Sequence, residues 1–166
     1  MLSPKVDIYV KAYFDNRDIK FLVDNGSTME PYWTEGVYLL ETLVKMANPF
    51  DKDGMDLYFT SPYPPSVGSE DNFSKLALHD SKESAFRKAM LGKYPQKGVW
   101  TTTDITVAIK GIFREFFDRL EKTGRQTQKK SRNPWAKDPE KPKALTLIIL
   151  TDDIWKAMKN PNTING

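Results

Sequence analysis

Apolar and polar residues alternate over Val6–Phe14: Val6, Ile8, Val10, Ala12 and Phe14 against Asp7, Tyr9, Lys11 and Tyr13. This period of two predicts a strand with one buried face. The turn Asp15-Asn16-Arg17-Asp18 follows, and Ile19–Val23, which ends in the apolar run Phe21-Leu22-Val23, reads as a buried strand. Trp33, Val37, Leu40, Val44 and Ala47 recur at helical spacing, with Pro31 suited to the first turn and Pro49 to the stop. Met55–Phe59 follows the turn Asp51–Gly54 as a further strand. The Pro- and Gly-containing stretch 60–72 reads as a loop. Asp80 and Glu83 have the spacing of a capping box for a helix reaching about Leu91. Beyond an irregular stretch, Thr103 or Asp104 can cap a helix whose stripe runs Ile105, Ile109, Ile112, Phe113, Phe116, Phe117 and Leu120, which predicts packing on a sheet. Ala144–Leu150 is a last strand, and Ile154–Lys159 a short helix.

Strands alternating with helices predict an α/β fold: a doubly wound, mostly parallel sheet with helices on both faces. Right-handed crossovers then put the ends of Val23 and Leu150 on the same edge of the sheet. A chain of 166 residues is expected to form one domain. Within it, 1–18 is an additional N-terminal strand and turn, 19–159 the core, 122–143 a loop and 160–166 a tail.

Composition narrows the chemistry. With no Cys there is neither a disulfide nor a thiolate metal site, and with His79 as the single His a multi-histidine zinc site within one chain is excluded. His79 itself reads as a loop residue with no evident partner. No stretch has the length and apolarity of a membrane span, and Met1–Val10 lacks the pattern of a signal peptide. A cytoplasmic, intracellular protein is expected. The net charge of +3 is uneven: Lys122–Lys143 holds eight basic residues against Asp138 and Glu140, so the remainder is mildly acidic. Trp135 is the only aromatic in that basic segment, which argues for a solvated loop and against nucleic-acid binding.

Two strands are each followed by acid and hydroxyl side chains: Phe21-Leu22-Val23 by Asp24-Asn25-Gly26-Ser27-Thr28, and Ile148-Ile149-Leu150 by Thr151-Asp152-Asp153. Oxygen donors without His or Cys suit Mg²⁺, Mn²⁺ or Ca²⁺ rather than zinc or copper. The bland alternative is that Asp24 and Asp152 only cap helices.

In these segments the sequence resembles the von Willebrand factor type A domain, over about Ile19–Lys159. Asp24-Asn25-Gly26-Ser27-Thr28 is similar to that family's Asp-x-Ser-x-Ser motif, Thr101-Thr102-Thr103-Asp104-Ile105 to its Gly-Gly-Thr-Asp-Ile, and Leu147–Asp153 to its strand ending in Thr-Asp-Gly. The resemblance implies a metal-ion-dependent adhesion site, with Asp24, Thr28, Thr103 and Asp152 as ligands and Ser27 and Asp153 as further candidates. The ion would be Mg²⁺ or Mn²⁺, completed by an Asp or Glu carboxylate of a protein partner. Selectivity would come from the loops around 60–72 and 92–102. Gly26 replaces the first motif Ser, Thr101 and Thr102 replace glycines, and Asp153 replaces a Gly, so the site is degenerate. The family also continues through two further strands and two helices after Asp152, where this sequence has only Asp153–Gly166, so either a shortened version or a piece of something longer is expected. The open edge of Ala144–Leu150 would then be covered by Val6–Phe14, within the chain or across a homodimer.

A metal-free scaffold of the same fold is one alternative. Another is a Mg²⁺-dependent phosphatase resembling the haloacid dehalogenase superfamily, with Asp24 as nucleophile and Thr60 or Ser61 and Asp152-Asp153 in support. In that class a general acid stands two residues after the nucleophile; here that position is Gly26. The reading is therefore a non-catalytic interaction module.

Overall fold

The structure, a computed structural model, is described over residues 17–51, 53–60, 76–95, 105–131 and 143–152. In chain order these form β1 (Arg17–Val23), a 3-10 helix (Ser27–Tyr32), α1 (Trp33–Ala47), β2 (Met55–Phe59), β3 (Leu76–Asp80), α2 (Glu83–Leu91), α3 (Ile105–Ser131) and β4 (Ala144–Leu150). The segments 6–14, 63–65, 101–104 and 153–159, on which several expectations rest, lie outside the described residues.

Among the described residues the sheet has four strands in the order β3-β2-β1-β4. β1 is parallel to both neighbours, with Val23 opposite Phe59 on one side and Leu150 on the other. Ile19–Val23, read as a buried strand, is interior, between Met55–Phe59 and Ala144–Leu150, and the ends of Val23 and Leu150 share one edge as expected. The sheet is mixed rather than mostly parallel along its whole width, because β3 runs antiparallel to β2 with a register irregularity at Leu57/Tyr58. β3 was not foreseen: its five residues lie mostly exposed at an edge and carry no clear apolar period. His79, expected in a loop, sits in this strand.

Strand alternation sorts the core into two layers. Ile19, Phe21 and Val23 with Met55, Leu57 and Phe59 face α1 and α2, where they meet Trp33, Leu40, Val44, Phe86 and Met90. Phe21 and Phe86 pack edge to face, with centroids 5.9 Å apart. Every apolar position assigned to α1 by spacing is buried. On the other face Leu22 and Tyr58 meet Ala108 and Ile112 of α3. The helices therefore cover both faces, as a doubly wound α/β fold requires.

Four local expectations are corrected. β1 starts at Arg17, not after Asp18, because Arg17 and Asp18 pair with Ala144 and Leu145, and Arg119 holds Asp18 at 2.7 Å. Asp80 does not cap α2 from a box; its Oδ1 accepts the Ser81 and Lys82 N–H groups at 2.7 and 3.0 Å and closes the strand-to-helix turn. The basic segment begins as helix, since α3 continues to Ser131; Lys, Arg and Gln favour it there despite Gly124, and a Glu121–Arg125 pair at 2.6 Å spans one turn. The α3 stripe is only partly core: Ile112 is buried, Ile105 and Ile109 are half-buried, and Phe113 and Phe117 are exposed and stack with each other. The face of α3 turned to the sheet carries Ala108, Ile112, Glu115 and Arg119, one turn after another, and Phe113 and Phe117 lie on the opposite side of the helix.

Candidate functional site

Asp24 stands where β1 ends. Its N–H donates to the Leu150 carbonyl at 2.8 Å, and the Thr60 N–H donates to the Val23 carbonyl at 3.0 Å. The ends of β2, β1 and β4 are thereby drawn side by side at the carboxyl edge. Chain connections leave β1 toward β2 over one face and arrive at β4 over the other, which is the arrangement that opens a ligand crevice in α/β sheets.

The Asp24 side chain is fully buried. Its Oδ1 accepts the Gly26 N–H at 2.9 Å and the Thr60 hydroxyl at 3.0 Å. Thr60 Oγ1 also accepts the Asn25 N–H at 3.3 Å, and lies 3.3 Å from Asn25 Oδ1. The hydroxyl has one proton, and the carboxylate is both the nearer and the stronger acceptor. Thr60 thus fixes the orientation of the Asp24 carboxylate. Gly26 has ordinary extended backbone (φ −63°, ψ 160°), so a side chain is compatible with this turn. Ser27 and Thr28 follow at once in the 3-10 helix, both half-buried.

Asp152 lies two residues past the end of β4 and is half-buried. It borders a groove of about 590 Å³ between α1 and β4, lined chiefly by Met29, Tyr32, Leu39, Ile149 and Leu150. Of the candidate ligands, Asp24, Ser27, Thr28 and Asp152 are thus gathered at one edge. Thr103 and Asp153 lie outside the described residues. Among the described residues no three acidic or His side chains converge, so any cation here would rest on two carboxylates and neutral oxygens.

From sequence Thr60 is only the first residue of the 60–72 loop and a candidate residue of the phosphatase alternative. Its signal was its position: a hydroxyl residue directly after a strand parallel to β1 must share the carboxyl edge with Asp24. A second polar cluster, beneath α3, was missed altogether. Lys20 is fully buried and pairs with Asp56, while its Nζ also donates to the Tyr58 hydroxyl at 3.1 Å. Tyr58 in turn donates to Glu115 Oε2 at 2.7 Å; burial first, and then this carboxylate, push the phenol pKa well above its ordinary value. The sequence signal is Lys20 among Ile19, Phe21, Leu22 and Val23, and Asp56 among Met55, Leu57, Tyr58 and Phe59, opposite in sign.

No protein-family model, curated protein or solved structure matches this chain. Among the described residues no helix is long and apolar enough to cross a membrane.

Proposed function

We propose that this chain is a non-catalytic protein-interaction module of the von Willebrand factor type A kind. In this reading Asp24 and Asp152, with Thr28 and Thr103, hold Mg²⁺ or Mn²⁺, and Ser27 and Asp153 stand by as further oxygen donors. The observation that carries it is the arrival of Asp24 and Asp152 on neighbouring strand ends, joined by the Asp24 N–H to Leu150 carbonyl bond of 2.8 Å. Two carboxylates with hydroxyls around them form a donor set suited to a hard divalent cation. When bound, the ion would supply a positive charge able to take a carboxylate from a partner. Thr60 and the Gly26 N–H would orient the Asp24 ligand, as outer partners of metal ligands commonly do. The apolar groove beside Asp152 would accept the residue next to that partner carboxylate.

One observation favours a second reading, the metal-free scaffold. The Gly26 N–H and the Thr60 hydroxyl already engage Asp24 Oδ1, so Asp24 can secure the turn without an ion.

Calorimetric titration of Mg²⁺ and Mn²⁺ into the wild type, Asp24→Asn and Gly26→Ser tests the proposal. Weak binding that Asp24→Asn removes and Gly26→Ser strengthens supports the cation site. Equal heats from wild type and Asp24→Asn, or none from any protein, support the metal-free reading.

A further inference from the structure

His79 is the only His in the chain, and both of its ring nitrogens face oxygen acceptors. Nδ1 lies 2.7 Å from Asp56 Oδ1 on β2, and Nε2 lies 2.8 Å from the Asp53 carbonyl in the turn before β2. A neutral imidazole has one N–H and one lone pair, so it can satisfy only one of these oxygens. The imidazolium donates to both.

What the ring joins is unusually central. Asp56 uses its other oxygen on buried Lys20 of β1. The Asp51–Gly54 turn binds β1 through Asp51 Oδ2, which accepts the Ile19 N–H at 2.9 Å. The same turn meets Lys143, the residue before β4, through Asp51 and Asp53. Gly54 allows the close approach: its φ is +106°, and a Cβ there would stand 3.0 Å from His79 Nε2. By contrast β3 is a short, largely exposed edge strand with an irregular ladder to β2.

We propose that His79 is a pH-operated latch: protonated, it fastens β3 to the turn that ties β1, β2 and β4 together, and deprotonated, it lets that edge open. Its surroundings set the direction. Among the described residues the acidic groups acting on it are Asp56 on β2, Asp53 in the turn and Asp80 on β3, with Asp51 one contact further off through Asp53 and Lys143. The basic groups reach it at one remove: Lys20 on β1 through Asp56, Lys143 before β4 through Asp53 and Lys82 before α2 through Asp80, with Glu115 on α3 linked through Tyr58. The hydrogen bond to Asp56 is the largest influence, and it holds the imidazolium pKa above its ordinary 6.5. A folded-state pKa raised over the open-state value stabilises the closed edge fully below about 6.5, and that contribution is lost as pH rises through the folded value. Asp51 is also raised, to about 6, mainly by burial. Its window lies between its ordinary 3.8 and about 6, below that of His79.

With one His the imidazole resonances give the titration midpoint without assignment ambiguity. The latch predicts a midpoint above 6.5, and a fall in amide protection across Leu76–Asp80 between about pH 6 and pH 9, after correction for intrinsic exchange. The fall should be about tenfold for each unit by which the measured midpoint exceeds 6.5. In His79→Gln the same amides should already be less protected at pH 6, with no further fall. A wild-type midpoint at or below 6.5, or pH-independent protection of β3, overturns the proposal without recourse to any variant. So does the same pH dependence persisting in His79→Gln, which would assign it to another group.

Discussion

Replacing Asp56 by Ala should be among the most damaging single changes this domain can take. The Asp56 side chain is 9% exposed and divides its two oxygens between Lys20 and His79. Lys20 is 0% exposed, so removing its carboxylate leaves an ammonium enclosed by protein with the Tyr58 hydroxyl at 3.1 Å and the Tyr58 ring at 5.2 Å. Breaking one side of a buried ion pair costs about 3–5 kcal/mol, a large share of the ~5–15 kcal/mol that holds a typical domain together. His79 is half-exposed and can turn to water, so it adds little to that loss. Lys20→Met should cost less, because Asp56 keeps His79 and a route to solvent. The double replacement Lys20→Met/Asp56→Leu removes both charges and fills the space; it should recover most of the loss, since apolar replacements of buried pairs are often neutral or stabilising. Urea unfolding followed by tryptophan fluorescence, with buried Trp33 among the reporters, gives all four stabilities. A cost below about 1 kcal/mol for Asp56→Ala, or a double variant no better than that single one, would refute the reasoning.

Other outcomes follow from the packing and the edge chemistry. Phe86→Ala should cost about 3–5 kcal/mol in the same unfolding assay, because the fully buried ring fills the space between Phe21 and α1. Gly54→Ala should lower the thermal midpoint, since it combines a positive φ with a Cβ 3.0 Å from His79 Nε2. A generic aryl phosphate in Mg²⁺ should not be turned over, because no acid follows Asp24 at Gly26; turnover removed by Asp24→Asn would favour the phosphatase reading.

Much of the frame is legible in the chain. β1, β2 and β4 announce themselves as apolar runs bounded by turn residues, and α1 by five buried positions at helical spacing. Asp24 and Asp152 are legible for the same reason: each directly follows or closely trails a run that reads as a strand. What escaped reading depends on register across strands. Lys20 opposite Asp56 and Asp56 opposite His79 become neighbours only once β1, β2 and β3 are aligned, and β3 itself is too short and exposed for a periodic signal. The end of α3 escaped because its basic residues resemble a solvated loop, although nothing in them breaks a helix before Pro134. The exposure of Phe113 and Phe117 is not legible because the stripe is broad, and only the contacts of Ala108, Ile112, Glu115 and Arg119 show which side of it meets the sheet.

The claim that matters most is a divalent cation between the ends of β1 and β4. Anomalous diffraction from crystals grown in Mn²⁺ addresses it directly. A manganese peak within coordination distance of both Asp24 and Asp152 is the predicted result. A well-ordered carboxyl edge with no such peak, in protein saturated with Mn²⁺, would contradict the cation site and leave Asp24 as the fixed point of a metal-free turn.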